Sequence, residues 1–562
     1  MKLIKGIAGS PGIAHARVLE FKKSEETKQT GERISFDQAV TKALDKVKKL
    51  HDKALAEIGG KEAKIFVAYE MLLEDTMLTG PIRAAIDGGE DEAKAIGDIC
   101  GQMAAVLAGK SNEYMRRRAD DIRYVGELLT DMVNGADSEF DFPAGNEKYI
   151  LVSHELTPMD TMHFDTSRLA GLVTELGGAT SHTVILAKSL GIPAVVGAKG
   201  IDGTGGETAY LDGYSGEFVV SPDEMAEAEY SQKLAAETEL TQKLDKIRNS
   251  RARTSDGEEI HVCVNIGSPD DMNGYAAEHP DGVGLFRTEF LYSAASKKPT
   301  VEEQTKAYRE VFEKSDGTPV TVRTLDIGGD KLLTYMHMDK EDNPFLGNRG
   351  IRLCLNNPDI FAEQIRALLI AAHGMNAKIM LPMITSVSEI DAARKVIKGV
   401  CAELDAEGID YAGDIPVGIM IETPASAMTA DIFARHADFF SVGTNDLVQY
   451  INAADRGNAA VESVYNPYHP AVVRALANVI RCGADAGIEV SVCGDLAANL
   501  NFTELLIGLG LKKFSVPLPM AVRVKHKIST IDSAAAQRTA QTVLEAENEN
   551  EIKSILERGC AQ

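Results

Sequence analysis

Two hydrophobic rhythms divide the chain. Near the N-terminus, "MKLIKGIAGSPGIAHARVL" carries short strand-like runs around a Gly-Ser-Pro-Gly turn. From about Ser35 to Val133 the rhythm lengthens. "AVTKALDKVKKLHDKALAEIG" and "SNEYMRRRADDIRYVGELLTDMV" repeat apolar positions every three and four residues, the period of amphipathic helices. Beyond the Asp-Phe-Pro-Ala-Gly break at 141–145, "KYILVS", "LAGLVTE" and "IPAVVG" read as buried strands, with a short helical stretch before the last. This predicts a small α/β unit that the N-terminal strands can join, making the helical zone an insertion. "PDEMAEAEYSQKLAAETELTQKLDKIRNSRAR" (222–253) then reads as a polar interdomain helix.

The last 300 or so residues are the most regular. Strand-like runs recur as "HVCVNI", "GVGLF", "VTVRTL", "KIMLPM", "VGIMIE", "FFSVG", "VSVCG" and "KFSV", most of them separated by amphipathic helical stretches. Eight alternating β and α segments predict a (β/α)8 barrel with extra length before its third and fourth strands. The competing arrangement is a doubly wound sheet, because periodicity alone does not close a barrel.

A chain of 562 residues exceeds one core, so several domains are expected. Its 44% hydrophobic and 25% charged residues are those of an ordinary globular protein. A net charge of −25 argues against broad binding to nucleic acid or anionic membranes. A phosphorylated ligand must therefore be drawn in by a local basic cluster. No apolar run is long enough to span a bilayer, and the N-terminus has no leader-like apolar stretch. Seven scattered cysteines without a CxxC read as free thiols in a reducing cytoplasm.

Barrel chemistry belongs at the C-terminal strand ends. Those ends carry Arg287, Arg323 with Asp326, Glu422, Asn445 with Asp446, and Cys493, and Arg456 follows soon after. Arginines suit a bidentate grip on phosphate and carboxylate. A Glu and an Asp beside phosphate are a common way to hold Mg²⁺. The implied ligand is a small, highly anionic, phosphorylated acid. Each residue also has a plainer reading: a surface ion pair, a helix cap or, for Cys493 after "VSV", a small buried hydrophobe. Upstream, "LGGATSHTVILAKSL" places His182 at the start of a helix, where Gly177 and Gly178 allow a turn and Thr180 or Ser181 can cap. Free amides and the helix dipole there favour a phosphate dianion.

The segments "GVGLFRTEFLY", "VRTLDIGGDK", "NPFLGNRGIR", "IMIETPA", "FFSVGTNDLVQY", "AADRGN" and "VSVCGDLA", with "GGATSH" and "GIAGSPGIA", resemble PEP-utilising enzymes. Across nearly the whole chain they look like the Enzyme I family of the bacterial PEP-dependent sugar phosphotransferase system. The resemblance implies a phosphohistidine α/β domain (1–20 and 143–222) and an inserted helical domain that docks the carrier HPr (21–142). It further implies a linker helix (223–253) and a PEP-binding, homodimerising barrel (254–562). His182 would accept the phosphoryl group, and Arg287, Arg323, Asn445, Asp446 and Arg456 would surround PEP. Glu422 and Asp446 would hold Mg²⁺, and Cys493 would protonate the enolate carbon to release pyruvate. Thr161 matches a hydroxyl near the histidine. The related dikinase and PEP synthase need an ATP-binding domain for which this sequence has no glycine-rich segment. The rival functional class is a PEP-sensing binding protein.

Three positions depart from the family pattern. Ala179 stands where a basic residue is frequent, Tyr69 replaces the histidine of a helical-domain signature, and "CGDLAAN" replaces "CGExAGD". Tyr69 puts the carrier-docking surface in question.

Overall fold

The computed structural model describes residues 1–21, 33–57, 60–108, 113–135, 145–156, 160, 164–178, 181–293, 297–328, 335 and 341–560. The chain divides into two compact units, Met1–Thr241 and Gln242–Gln562.

In the first unit, β1 (Lys2–Lys5), β2 (Ile7–Ser10) and β3 (Ile13–Phe21) precede five helices. These are α1 (Phe36–Glu57), α2 (Gly60–Glu74), α3 (Thr76–Asp87), α4 (Glu92–Ala108) and α5 (Glu113–Val133). The chain then returns as β4 (Tyr149–Ser153), β5 (Leu169–Thr174), α6 (His182–Leu190), β6 (Ala194–Val196), β7 (Thr208–Asp212) and β8 (Glu217–Val220). The sheet order β1-β8-β7-β3-β4-β5-β6-β2 puts β3 through β6 in a parallel centre with antiparallel flanks. The N-terminal strands thus join the later ones, and the helices are an insertion between β3 and β4.

Alternation along the strands builds two cores. Ile150 and Val152 of β4 face one cluster with Val173 and Leu211, while Leu151 faces another with Leu172, Leu186 and Ala187 of α6. The helices share a separate core that includes Phe66, Tyr69, Ile96, Ile122 and Leu129. Tyr69 is fully buried there, edge-on to Phe66 at 6.1 Å. Position 69 therefore faces the helical core.

Helix α7 (Glu224–Ile247) runs through the boundary between the units. Its first turns are less polar in their contacts than the sequence suggests. Ala226 and Tyr230 pack on Tyr210 and Val219, and the Tyr230 hydroxyl donates to Glu217 Oε2 at 2.6 Å.

In the second unit, β9 (Ala252–Arg253) pairs antiparallel with β10 (Glu259–Ile266). There follow β11 (Val283–Phe286), β12 (Val320–Arg323), β13 (Ala377–Leu381), β14 (Val417–Ile421), β15 (Phe439–Gly443), β16 (Glu489–Cys493) and β17 (Lys513–Pro517). Strands β10 to β17 are parallel, and β10 pairs with both β17 and β11. The sheet closes, so the barrel holds and the doubly wound alternative is excluded. The longest connection, from β12 to β13, does precede the fourth strand, but those before the fifth and seventh strands are longer than the one before the third. Period-two alternation splits the strands, except in β11, whose pairings carry register shifts. Ile419 and Ile421 of β14 enter the large core against the helices, whereas Met420 enters a small interior cluster with Leu285, Met380, Phe439 and Cys493.

Candidate functional site

That alternation decides which strand-end residues point inward. Arg287 lies two residues beyond Leu285, Glu422 lies two beyond Met420, and Arg323 and Cys493 end β12 and β16. A cavity of about 400 Å³ opens among them. Arg287, Arg323, Asp326, Glu422, Asn445, Asp446, Arg456 and Cys493, the residues read at or just after the strand ends, all line it. His182 is the first residue of α6 in the other unit; its side chain lies outside the described residues, as do Thr161, Ala179 and Thr180.

The arginines are held by carboxylates. Arg323 Nη2 bonds Glu289 Oε1 at 2.8 Å, and its Nη1 meets Asp326 Oδ2 at 2.9 Å. Arg349 lies 3.0 Å from the same Asp326 oxygen and 3.6 Å from Asp446, while Arg456 is 3.8 Å from Asp446 Oδ1. Arg349 and Glu289 were missed by the strand-end reading. The signal for Arg349 lay within "NPFLGNRGIR", but that segment belongs to the connection after β12 rather than to a strand end. Four arginines and five carboxylates line the cavity, so it has no net positive charge of its own for a phosphorylated acid.

Glu422 is 1% exposed, and one of its oxygens accepts the Met383 amide at 2.6 Å. Met383 takes a φ of 57° to present that amide, a left-handed conformation unusual for a non-glycine residue. Burial, and then the Asp326 and Asp446 carboxylates, push the Glu422 carboxyl up to about 8. Asp446 Oδ1 is buried without a hydrogen bond. A crowded carboxylate and an unbonded buried oxygen are the donor chemistry that a hard divalent cation satisfies. Among the described residues no three His, Cys, Asp or Glu gather as a ligand set. Two carboxylates nevertheless fit Mg²⁺, which keeps waters and shares substrate phosphate.

Cys493 is 1% exposed, and its Sγ donates to the Val442 carbonyl at 3.3 Å. Burial raises the thiol above its ordinary value, so it carries its proton at neutral pH. It is thus both a core residue and a cavity residue. Gly494, with a φ of 87°, follows because a Cβ there would sit 2.5 Å from Asn445 Oδ1 and from Thr444 Oγ1. With that space clear, Asn445 Oδ1 accepts the Asp495 amide at 2.8 Å. The "DIGGDK" glycine loop is described only as far as Gly328.

At α6 the reading of the turn needs one correction. Gly177 has a φ of 108°, as a tight turn requires, but Gly178 is not in the left-handed region. Ser181 occupies the N-cap position with extended backbone, yet its hydroxyl makes no capping bond and is buried without a partner. Its Oγ turns back instead, 3.2 Å from where a Cβ on Gly177 would lie.

Family models match three segments: PEP-utilising enzyme, N-terminal (5–118), mobile domain (145–216) and PEP-binding domain (241–533). Among curated relatives, the phosphoenolpyruvate-protein phosphotransferase of Staphylococcus carnosus is 37% identical, over 99% of both chains. That of Listeria monocytogenes is 38% identical over 100% of both chains, and that of Bacillus subtilis 37% identical over 567 residues. No helix among the described residues is long and apolar enough to cross a membrane. With all three domains matched in order and full-length relatives of one name, this chain belongs to the PEP-utilising enzymes, in the phosphoenolpyruvate-protein phosphotransferase family.

Proposed function

We propose that this enzyme moves the phosphoryl group of PEP to His182, releases pyruvate, and passes the group to a histidine of HPr. The observation that carries the reading is the convergence of Arg287, Arg323, Glu422, Asn445, Asp446, Arg456 and Cys493 on one cavity at the C-terminal strand ends. Arg287, Arg323, Asn445 and Arg456 grip the phosphate and carboxylate of PEP. Glu422 and Asp446 hold Mg²⁺, which when bound offsets phosphate charge. That matters in a pocket where carboxylates outnumber arginines.

A neutral imidazole nitrogen of His182 attacks phosphorus in line, and the bond from phosphorus to the enol oxygen breaks. The arginines stabilise the charge spread over the transferring group. The enolate carbon takes the proton of Cys493 Sγ, giving pyruvate and a thiolate that solvent reprotonates. Residues 1–20 and 143–222 carry the phosphohistidine, 21–142 dock the carrier, and 223–253 link them to the barrel (254–562), which also pairs two copies. The setting is the cytoplasm, where thiols stay reduced.

Radiolabelled PEP with Mg²⁺ tests this. Label on the protein should be stable in base, labile in acid, transferable to HPr, and absent from His182→Ala. Label that persists in His182→Ala overturns the assignment of the acceptor. Turnover of PEP without any protein carrier overturns the assignment of the partner.

A further inference from the structure

Behind the cavity wall lies a carboxamide that the mechanism does not use. Gln364, on the helix Pro358–Ala371, is 0% exposed in the large apolar core of the barrel. Burying a carboxamide among aliphatic side chains is costly unless each of its groups is bonded. Here each is. Nε2 donates to Thr288 Oγ1 at 3.1 Å and to the Tyr308 hydroxyl at 3.2 Å, and Oε1 accepts the Leu325 amide at 3.0 Å.

Two of those partners, Thr288 and Leu325, sit in different strand-end segments, and Tyr308 lies on the helix Val301–Lys314. Thr288 lies between Arg287 and Glu289 after β11, and Leu325 lies beside Asp326 after β12. Thr288 completes the link by donating its hydroxyl to the Arg323 carbonyl at 3.0 Å. One side chain therefore bolts together the two segments that carry Arg287, Glu289, Arg323 and Asp326. Glutamine suits the position because it offers two donors and an acceptor at once. A carboxylate lacks the donors, and an apolar residue would strand the Leu325 amide.

We infer that Gln364 is a positioning residue for PEP: it sets the spacing of the β11 and β12 ends, and through it the place of Arg287 and Arg323. This rests on the proposal that those arginines grip PEP. A residue that only fills the core would change stability alone.

The experiment measures PEP affinity in the presence of Mg²⁺ by calorimetry, steady-state kcat and KM, and thermal unfolding, all on the full chain. Gln364→Met keeps the shape and loses every bond; Thr288→Val cuts the link to the β11 segment. Tyr308→Phe removes the third partner's hydroxyl, which bonds neither segment, and keeps the ring that packs edge-on to Phe286 at 6.1 Å. Gln364→Met and Thr288→Val should each weaken PEP binding roughly tenfold to a hundredfold, the scale on which misplaced contacts act. The double variant should be no weaker than the weaker single. Tyr308→Phe should lower Tm while PEP affinity stays within about twofold.

If Gln364→Met does not fold, the contrast between Thr288→Val and Tyr308→Phe decides. Native PEP affinity in Gln364→Met or Thr288→Val overturns the inference, as does an equal loss in Tyr308→Phe. Arg323→Ala runs alongside. If it binds PEP normally the site assignment itself fails; if it alone loses PEP, only the positioning role fails.

Discussion

Two buried polar groupings in this molecule are treated in opposite ways. In the barrel, Arg323 is 8% exposed and leaves Nε without a hydrogen bond, but Glu289 and Asp326 each lie within 3 Å of its two terminal nitrogens. In the helical core of the first unit, the fully buried Tyr69 hydroxyl has no partner. Nearby Asp121 is 5% exposed, leaves Oδ1 unbonded and meets Arg118 only at 3.5 Å. Charge paired on both sides holds a rigid binding surface. A carboxyl buried with half its bonds missing is held up instead, to about 6, mainly by burial. The first arrangement presets a site for an anion; the second is a cost that the apolar packing around it carries.

The comparison breaks most visibly at Arg323. Arg323→Ala should abolish measurable PEP binding and lower stability by about 3–5 kcal/mol, because Glu289 and Asp326 lose their shared partner. Chemical denaturation and PEP titration check both halves, and an unaltered Tm would show that the pairing adds nothing. Cys493→Ser comes next. It should leave PEP binding intact while pyruvate release falls roughly 10²- to 10⁴-fold, the usual scale for a lost proton donor.

Asp121 sharpens the other side. Its folded pKa is raised from 3.8 to about 6, so the folded chain holds an extra proton between those values. Its contribution is then fully present below about pH 4 and lost as pH rises through 6, on the order of 3 kcal/mol in all. Asp121→Asn should flatten that part of the Tm–pH curve; an unchanged slope would mean the carboxyl is better solvated than its burial implies. Tyr69→Phe removes a hydroxyl that bonds nothing and should raise stability by about 1 kcal/mol, read from the unfolding midpoint. The smallest effect is at the α6 mouth. Ala179→Arg should lengthen the life of the phosphohistidine up to about fivefold, the size of a charge effect at a helix N-terminus. Acid-quenched decay of the label measures it.

Much of this was legible along the chain. The eight barrel strands fall on the eight apolar runs, since a strand buried on both faces needs a continuous run of apolar residues. The inward placement of Arg287, Arg323, Glu422 and Cys493 follows from counting in twos. Arg349 was not legible in that way, because a long connection after β12 brings it to Asp326 and Asp446 only once the barrel closes. The burial of Tyr69 was not legible, because a motif position says nothing about which face of a helix is covered. Ser181 was placed correctly at the cap, but a backbone position does not decide where a hydroxyl points.

Local pattern and motif thus determined the element types, the alternating α/β order of the barrel, the family and eight cavity residues. Tertiary structure alone decided that Arg323 and Arg349 share Asp326, that Cys493 is buried and protonated, and that Gln364 ties two strand ends together. The reason is range. Periodicity is set by neighbours a few residues apart, whereas pairing, burial and protonation depend on groups that meet only when the sheet has closed.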